Sequence, residues 1–464
     1  MATRKNRANA SGAAKKDRNN AAGSNGSGAV ASSVEELLLA ALDRGDDSLQ
    51  TGRYLVTFKE GGAEEGLKSF QSTHGMRVAD ARDFDSQAAT LESIGDADAV
   101  MLPEIGVALV SANAAQSRSM STQSEIAADS PIDSIDPEYF QFASNYAEEY
   151  LAETLTSDNP TGEYLRGFLR AAEMITKDLK HTNGNGHQLL EPEEEIQVLG
   201  ATWGLNVCKV PPSLRSGLGI KVAVLDTGLD LGHPDFAGRP ITSHSFVGQP
   251  VQDLNGHGTH TTGTACGTKT PAGSTPRYGI AYRSSIFMGK VLTNAGSGTQ
   301  AGVLAGMNWA IANRCAVISM SLGAQIGVQP AYTAAGQAAL NNGCLIIAAS
   351  GNASAATGAP ANSPTIMSVA ALDKTLTPSS FSNFGKVEIS GPGRDVFSSW
   401  FRPIKYNTIS GTSMATPHVA GCAALWAESS PALRGMALWR KLRATARHLA
   451  FPATRVGAGL VQAP

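Results

Sequence analysis

Ser413 is the residue whose surroundings most clearly suggest chemistry. It lies in the segment GTSMATPHVAG (411–421), at the start of an apolar stretch of helical composition. A helix that begins here would direct its unpaired N–H groups and the positive end of its dipole towards Ser413, where they would stabilise an oxyanion on an attacked acyl group. A serine in this position is more often only a helix cap, so the segment alone does not establish a nucleophile.

Two further segments contain the other parts of a catalytic triad. Asp226 ends an apolar, β-branched run in VAVLDTGLDLGHPDF (222–236), which predicts a buried parallel strand with a carboxylate at its carboxyl end. His257 follows a glycine-containing turn in NGHGTHTTGTACG (255–267), whose small residues suit a closely packed helix. Each segment is weak evidence by itself. Together, in this order, the three residues predict acyl transfer by an activated serine.

Residues from about 200 to 464 resemble the catalytic domain of the subtilisin-like serine proteases, because all three segments match that family's motifs in its chain order. The resemblance implies a serine endopeptidase with an acyl-enzyme intermediate. It also implies an α/β fold: a three-layer domain with a mainly parallel central sheet, preceded by a small α+β propeptide-like domain. His257 would be the general base, oriented by Asp226, and the N–H of Ser413 and the amide of Asn352, in AASGN, would form the oxyanion hole.

The resemblance extends to the segments that bind an extended peptide. NAGSGT (294–299) and SMSLGA (319–324) are similar to the family's two substrate-flanking strands, and TGAPANSP (357–364) is similar to its primary pocket. The substrate-binding residues implied in this way are Gly296, Ser297, Gly298, Ser321, Leu322, Gly323, Ala349, Gly351 and Gly358. SMSLGA and TGAPANSP contain no Asp or Glu, so a pocket with Gly358 at its base predicts a preference for large apolar residues before the cut.

No metal ion or other cofactor is expected from the sequence. Asp235 matches a carboxylate that binds calcium in many subtilisins, but the partner loop GTKTPAGSTPRYG (267–279) has no Asn or Asp. Calcium takes about six to eight oxygen ligands, so the usual site is not predicted, although calcium binding stays possible. His260 and His418 lie in the catalytic motifs without an evident chemical role, and we interpret both as structural.

Composition excludes several other classes of protein. The 464 residues predict more than one domain, and 37 Lys and Arg against 40 Asp and Glu give no sign of a nucleic-acid partner. The sequence has no apolar run of about 18 residues or more, so no membrane span is predicted. The five cysteines favour reduced thiols, and the N-terminus lacks the apolar region of a signal peptide. The protein is therefore expected in the cytoplasm or to be exported by a route without a signal peptide.

The N-terminal part divides by composition. Residues 1–33 are predicted to be disordered, and VEELLLAALDRG (34–45) is a docking helix or the first ordered turn. The range 34–113 has the strand and helix pattern of a small α+β domain similar to the family's inhibitory propeptide. This implies that the chain's own N-terminal domain binds the catalytic domain as an intramolecular inhibitor, with its strand near 107–112 along the two substrate-flanking segments.

The range 114–199 departs from the family pattern. It is mostly acidic, with fourteen Asp and Glu against four Lys and Arg between 131 and 200. Helical spacing predicts one amphipathic helix over 165–179 and another around 142–151. These helices form either a solvated linker or a pair that docks on the enzyme or a partner. We expect the chain to mature by cutting itself within this insert, ahead of the catalytic domain at 200–464.

Two other classes of function remain compatible with these motifs. One is a catalytically dead protein that binds peptides, and the other is a serine hydrolase of esters or small amides. The complete triad disfavours the first. The segments NAGSGT and SMSLGA disfavour the second, because they suit an extended polypeptide substrate. Cleavage of casein compared with cleavage of a small ester separates the three possibilities.

Overall fold

The computed structural model of the chain describes residues 30–45, 48–72, 75–117, 130–143 and 200–464. These residues form a small sheet domain, described as far as Ala143, and a large α/β domain, described from residue 200.

The described part of the small domain contains the following elements in chain order. They are α1 (Val34–Arg44), β1 (Gln50–Phe58), α2 (Ala63–Ser72), β2 (Val78–Asp80), α3 (Leu91–Ile94), β3 (Ala99–Leu102), β4 (Val107–Val110), α4 (Ala112–Ser117) and β5 (Ile132–Ala143).

The large domain has strands and helices that alternate through much of its length. Its strands are β6 (Lys221–Asp226), β7 (Ile241–Ser245), β8 (Ser285–Lys290), β9 (Ser297–Thr299), β10 (Val317–Met320), β11 (Leu322–Gly323), β12 (Leu345–Ala349), β13 (Met367–Leu372), β14 (Ile389–Pro392), β15 (Val396–Ser399) and β16 (Tyr406–Ile409). Its helices are α5 (Trp203–Val207), α6 (His257–Cys266), α7 (Gln300–Ala312), α8 (Pro330–Asn341), α9 (Thr412–Ser429), α10 (Gly435–Thr445) and α11 (Ala453–Val456).

A parallel sheet of order β14-β13-β12-β10-β6-β8-β7 forms the centre of the large domain. Its strands are nearly continuous apolar runs because helices cover both faces. Alternate residues of β6 illustrate this, since Ala223 and Leu225 pack towards α7 and α8. Val222 and Val224 pack towards α6 and α9. The three-layer α/β class predicted from the sequence is therefore confirmed.

The sheet of the small domain has the order β2-β3-β4-β1-β5. One face packs on α2, where the rings of Phe58 and Phe70 are 5.6 Å apart. The other face, which includes Leu55 and Leu109, joins the apolar core that contains α7 and α8 of the large domain. The small domain thus rests on two helices of the large one.

Strand β5 extends from the small domain into the large one. Its last residues pair antiparallel with β9 through Phe142 and Ser297, and with β11 through Ala143 and Leu322. We expected the strand near 107–112 to occupy this position, and that prediction is wrong. β4 lies between β1 and β3 instead. The end of β5 occupies the cleft between β9 and β11, where the sequence analysis expected the substrate to bind.

The structure also corrects the sequence interpretation around β5. A helix was predicted around 142–151, but Phe142 is part of β5, because its backbone pairs with β9 and β11. β5 itself falls in the range 114–199 that was interpreted as a linker. The helix predicted over 165–179 lies outside the described residues. Val30, within the tail predicted to be disordered, is 1% exposed.

A buried ion pair joins β1 and β5 to the large domain. Arg53 and Glu138 have side chains that are 2% and 0% exposed, and their closest atoms are 2.6 Å apart. Glu138 also accepts a hydrogen bond of 2.9 Å from the N–H of Ala301, in the first turn of α7. A carboxylate is favoured at a helix N-terminus, where the N–H groups have no intrahelical partner.

The close crossing of α6 and α9 generates a stability prediction. A Cβ at Gly421 in α9 would lie 2.7 Å from Ile280 and 3.0 Å from the carbonyl oxygen of Ala265. In a Ser413→Ala background, chosen to exclude the self-digestion expected from the sequence, Gly421→Ala should lower the free energy of unfolding by about 1–3 kcal/mol. Gly302→Ala in α7 is the control, because its nearest atom is 3.6 Å away. Urea unfolding measures the stability of both variants. If Gly421→Ala is as stable as Gly302→Ala, the close contact between α6 and α9 is contradicted.

Candidate active site

Asp226 and His257 form a hydrogen-bonded pair at the carboxyl end of the central sheet. Asp226 is the last residue of β6 and His257 is the first residue of α6. Asp226 Oδ1 lies 2.6 Å from His257 Nδ1, and both side chains are buried. Thr261 donates to Asp226 Oδ2 at 3.1 Å, which fixes the carboxylate from the side of α6. His257 Nε2 has no hydrogen-bond partner among the described residues.

Ser413 is the second residue of α9, an 18-residue helix. Gly411 precedes the helix with φ 154°, so the chain enters it through a conformation that favours glycine. Ser413 Oγ donates to the carbonyl oxygen of Ser321 at 3.1 Å, and Ser321 Oγ donates back to the carbonyl oxygen of Ser413 at 2.7 Å. The N-terminus of α9 is thereby held against the end of β10.

Asp253 organises the loop before His257, and the sequence analysis did not identify it. It is fully buried and accepts hydrogen bonds from the backbone N–H groups of Asn255, Gly256 and Thr259, each at 2.9 Å. Thr227, next to Asp226, also donates to it at 3.0 Å. An acidic residue two positions before the NGHG turn is the signal that could have revealed this role.

Asn352 is fixed beside the start of α9. Its Oδ1 accepts hydrogen bonds from the N–H of Thr412 at 2.8 Å and from Thr412 Oγ1 at 2.9 Å. Asn383, which is distant in sequence, holds the same loop by accepting from the N–H groups of Ala353 and Ala355 at 2.9 and 3.0 Å. Asn383 was missed because nothing in its local sequence distinguishes it from an ordinary loop residue.

The predicted substrate-binding residues on β9 and β11 lie on both sides of β5. The N–H of Ala143 donates to the carbonyl oxygen of Gly296 at 2.9 Å. Gln141 is opposite Gly298, and Phe142 is opposite Gly323 and Ser297. Two of these positions require glycine. A Cβ at Gly298 would lie 2.3 Å from the carbonyl oxygen of Val291, and one at Gly323 would lie 2.6 Å from that of Ala359.

The other predicted binding residues form the wall next to these strands. Ala349 ends β12, and Gly351 donates its N–H to Thr412 Oγ1 at 3.1 Å. Gly358 donates its N–H to the carbonyl oxygen of Ser350 at 3.2 Å. A Cβ at Gly358 would lie 2.5 Å from the carbonyl oxygen of Ala324, so any larger residue there would displace the neighbouring backbone.

The other two histidines of the catalytic motifs are buried and bonded to the backbone. His260 Nε2 lies 2.9 Å from the carbonyl oxygen of Val396, and His418 Nδ1 lies 2.8 Å from that of Met414. Burial lowers the pKa of His260 to about 3 and the pKa of His418 to about 4. Both are neutral at neutral pH, and their placement supports the structural roles expected from the sequence.

Asp235, the candidate calcium ligand, is bound by tyrosines. The hydroxyl groups of Tyr278 and Tyr406 both donate to its Oδ2. Within the part of the chain that the structure describes, no group of three or more His, Cys, Asp or Glu side chains is placed to hold a metal ion. Asp235 Oδ2 is thus occupied by two tyrosine hydroxyl groups.

The cysteines and the helices bear on the remaining expectations. All five cysteines are buried free thiols, and burial raises the pKa of the Cys208 thiol well above its usual value. Among the described helices, none has the length and apolar composition needed to cross a membrane.

Comparison with known proteins identifies the large domain. A model of the subtilase family matches residues 217–459, which is more than half of the chain. A thermostable alkaline protease of Halalkalibacterium halodurans is 36% identical over 301 residues, which cover 63% of this chain and 81% of that protein. A subtilisin-like protease 2 of Pseudogymnoascus destructans is 40% identical over 50% of this chain, and the match spans 61% of the relative.

A solved structure gives the same result. The crystal structure of a cold-adapted subtilisin-like serine proteinase matches with a TM-score of 0.52 and 34% sequence identity, covering 57% of this chain and 99% of that one.

The buried histidines generate a prediction about pH. The pKa values of His260 and His418 are about 3 and about 4 in the folded state, whereas an unfolded histidine has a pKa of about 6.5. At pH values between the folded and unfolded pKa, the unfolded chain therefore binds more protons than the folded chain. As pH falls from 6.5 towards 4, each histidine should lower the free energy of unfolding by up to about 1.4 kcal/mol per pH unit. Urea unfolding of the Ser413→Ala chain at pH 7 and pH 5 measures this loss.

A pair of variants shows whether the buried histidines cause that loss. His418→Gln should reduce the difference between the two pH values. The same change at His448, which is exposed, should leave it as in the parent chain. If both variants retain the full difference, burial of His418 is not responsible.

Proposed function

The chain belongs to the subtilase family and is a serine protease, and we propose that Asp226, His257 and Ser413 are its catalytic residues. The observation that carries this proposal is the buried 2.6 Å contact between Asp226 and His257, at the sheet edge where α9 presents Ser413. Subtilase membership favours peptide hydrolysis over the two alternatives, a protein that only binds peptides and a hydrolase of esters or small amides.

The geometry suggests how the proton moves. The contact with Asp226 favours the tautomer that carries its proton on His257 Nδ1, which leaves a lone pair on Nε2. His257 then serves as general base for the Ser413 hydroxyl, which first rotates away from the carbonyl oxygen of Ser321. After Ser413 attacks the peptide carbonyl, the imidazolium returns the proton to the leaving amine. Asp226 stabilises that imidazolium without taking up the proton.

The oxyanion of the tetrahedral intermediate would be bound at the start of α9. The N–H of Ser413 is one donor, and it belongs to the helix turn whose N–H groups have no intrahelical partner. The amide nitrogen of Asn352 is the second donor. Because Asn352 Oδ1 is already held by Thr412, the amide plane is fixed before substrate binds, as electrostatic stabilisation requires.

We extend the proposal to the small domain, which acts as an intramolecular inhibitor of an inactive precursor. The support is strand β5, which pairs with β9 and β11 through the backbone groups that would bind an extended substrate. Addition of a strand between two exposed strands gives binding through the main chain and leaves specificity to the side chains. While β5 occupies this position, a polypeptide substrate is excluded.

The register of β5 indicates where the precursor cuts itself. Ala143 is paired with Leu322, and the residue before Leu322 is Ser321, whose carbonyl oxygen is 3.1 Å from Ser413 Oγ. The described pairing therefore stops one position short of Ser321, the residue that contacts Ser413. We therefore expect the first cut at the Ser144–Asn145 bond. A bond that a tethered strand presents to the nucleophile does not need a side chain that fills the primary pocket.

Self-cleavage should depend on Ser413. Purified wild-type chain should convert to two fragments, the second beginning at Asn145, whereas Ser413→Ala should stay intact because it lacks the attacking hydroxyl. Ser429→Ala, at the other end of α9, is the matched control and should convert like the wild type. Gel analysis and mass spectrometry of the fragments measure this. Conversion of the Ser413→Ala chain, or a first cut before Ile132, would contradict the proposal.

We also propose that the activated enzyme prefers large apolar residues before the cut. The pocket segments contain no Asp or Glu, and Gly358 and Ala359 provide backbone at its wall. Without a negative partner, the positive charge of Arg or Lys would be left unpaired on entering the pocket.

Peptide substrates test this preference directly. For a matched pair of peptides with Phe or Arg before the scissile bond, kcat/KM should be at least about tenfold higher for Phe, a difference of roughly 1.4 kcal/mol. The comparison uses the fully activated enzyme, so that residual inhibitor does not affect KM. A tenfold preference for Arg would refute the proposal.

A further inference from the structure

Helix α1 contacts both the strand in the cleft and the catalytic domain. It has four buried side chains, which are Val34, Leu37, Leu38 and Ala41. They form one apolar cluster with Phe140 and Phe142 of β5 and with Val247 of the large domain. Phe140 and Phe142 point to the same side of β5 because side chains alternate along a strand. α1 therefore covers one face of the strand that occupies the substrate cleft.

The sequence of α1 specifies both the helix and its docking face. Ser33 and Glu36 form a reciprocal capping box at the N-terminus, and Gly45 ends the helix with φ 61°. Leu38 is 1% exposed, whereas its neighbour Leu39 is 57% exposed. Leu38 therefore lies on the docked face of α1, and the adjacent Leu39 lies on its exposed face.

Polar contacts fix α1 at both ends. Glu35, in the first turn, accepts a hydrogen bond of 3.0 Å from the side chain of Gln249. Gln249 in turn accepts from the N–H of Asn294, shortly before β9, at 2.8 Å. Arg44, in the last turn, donates to the carbonyl oxygen of Gln50 in β1 at 2.9 Å. α1 is therefore attached to the rim of the cleft and to the inhibitor sheet at the same time.

We propose that α1 is a clamp that keeps β5 in the cleft after the chain has cut itself. This inference rests on the proposed inhibitor role of the small domain and names what controls release of that domain. A cut beyond Ala143 breaks none of the contacts that α1 makes. β5 cannot leave the cleft with the small domain until α1 separates from Val247 and Gln249. Activity should therefore lag behind self-cleavage by the time that α1 needs to detach.

The test compares Leu38→Ala with Leu39→Ala in the full-length chain. Self-cleavage is followed on gels, and hydrolysis of an apolar peptide substrate is followed in the same samples. The wild type should show a lag between the two. Leu38→Ala should shorten that lag at least tenfold, because truncation removes apolar contacts that hold β5. Leu39→Ala should keep the wild-type lag, and kcat and KM of the fully activated enzyme should be equal in all three.

Val247→Ala probes the same contact from the catalytic domain and leaves α1 unaltered, so it should shorten the lag as well. If Leu38→Ala cleaves itself normally but keeps the wild-type lag, the clamp is refuted and the inhibitor role stands. The same conclusion holds if Leu38→Ala fails to fold and Val247→Ala keeps the lag. If the full-length chain hydrolyses the peptide at the full rate before any self-cleavage, the inhibitor role is refuted, and the clamp with it. An absent lag in the wild type refutes the clamp alone.

Discussion

The buried ion pair between Arg53 and Glu138 fixes how the small domain meets the catalytic domain. Neither charge is accessible to water, so each depends on the other and on hydrogen bonds for its compensation. Glu138 accepts from Arg53, from Thr51 at 2.5 Å and from the N–H of Ala301, while Arg53 also reaches Thr299 at 3.3 Å. One carboxylate thereby connects β1, β5 and α7. A shift of β5 by one residue would turn Glu138 to the opposite face and leave Arg53 unpaired.

The fixed register determines what the end of β5 does. Because Glu138 cannot slide, Ala143 stays paired with Leu322, whose neighbour Ser321 contacts Ser413. Of the proposed catalytic groups, Asp226 already contacts His257 and Asp253 holds the intervening loop, whereas Ser413 Oγ still donates to Ser321. We propose that inactivity of the precursor follows from occupation of the cleft by β5.

The sequence predicted the parts of this molecule that local pattern determines. The apolar strand before Asp226 and the small-residue helices after His257 and Ser413 have compositions that suit only a tightly packed parallel α/β core, and the family motifs gave the binding segments. Asp253 and Asn383 were not predicted, because their roles depend on backbone N–H groups that only the folded loops bring together.

β5 was missed for a different reason. Its N-terminal part, IDSIDPE, is acidic and contains Pro137, a composition that favours a linker over a sheet strand. The strand exists because both of its sides are paired: β1 binds its first half, and β9 and β11 bind its end. Tertiary pairing of this kind overrides local β-propensity, which mostly reflects the surroundings of a strand.

A cleavable inhibitor has to satisfy two requirements that oppose each other. Its strand must be bound like a substrate, so that the bond beyond Ala143 can be cut, yet the cut must not release it at once. Main-chain pairing with β9 and β11 cannot distinguish inhibitor from product, because any peptide forms the same hydrogen bonds. The distinction must come from contacts that a product lacks. In our proposal, Glu138 at α7 and the apolar cluster of α1 are such contacts, and both lie upstream of the proposed cut, where hydrolysis would leave them intact.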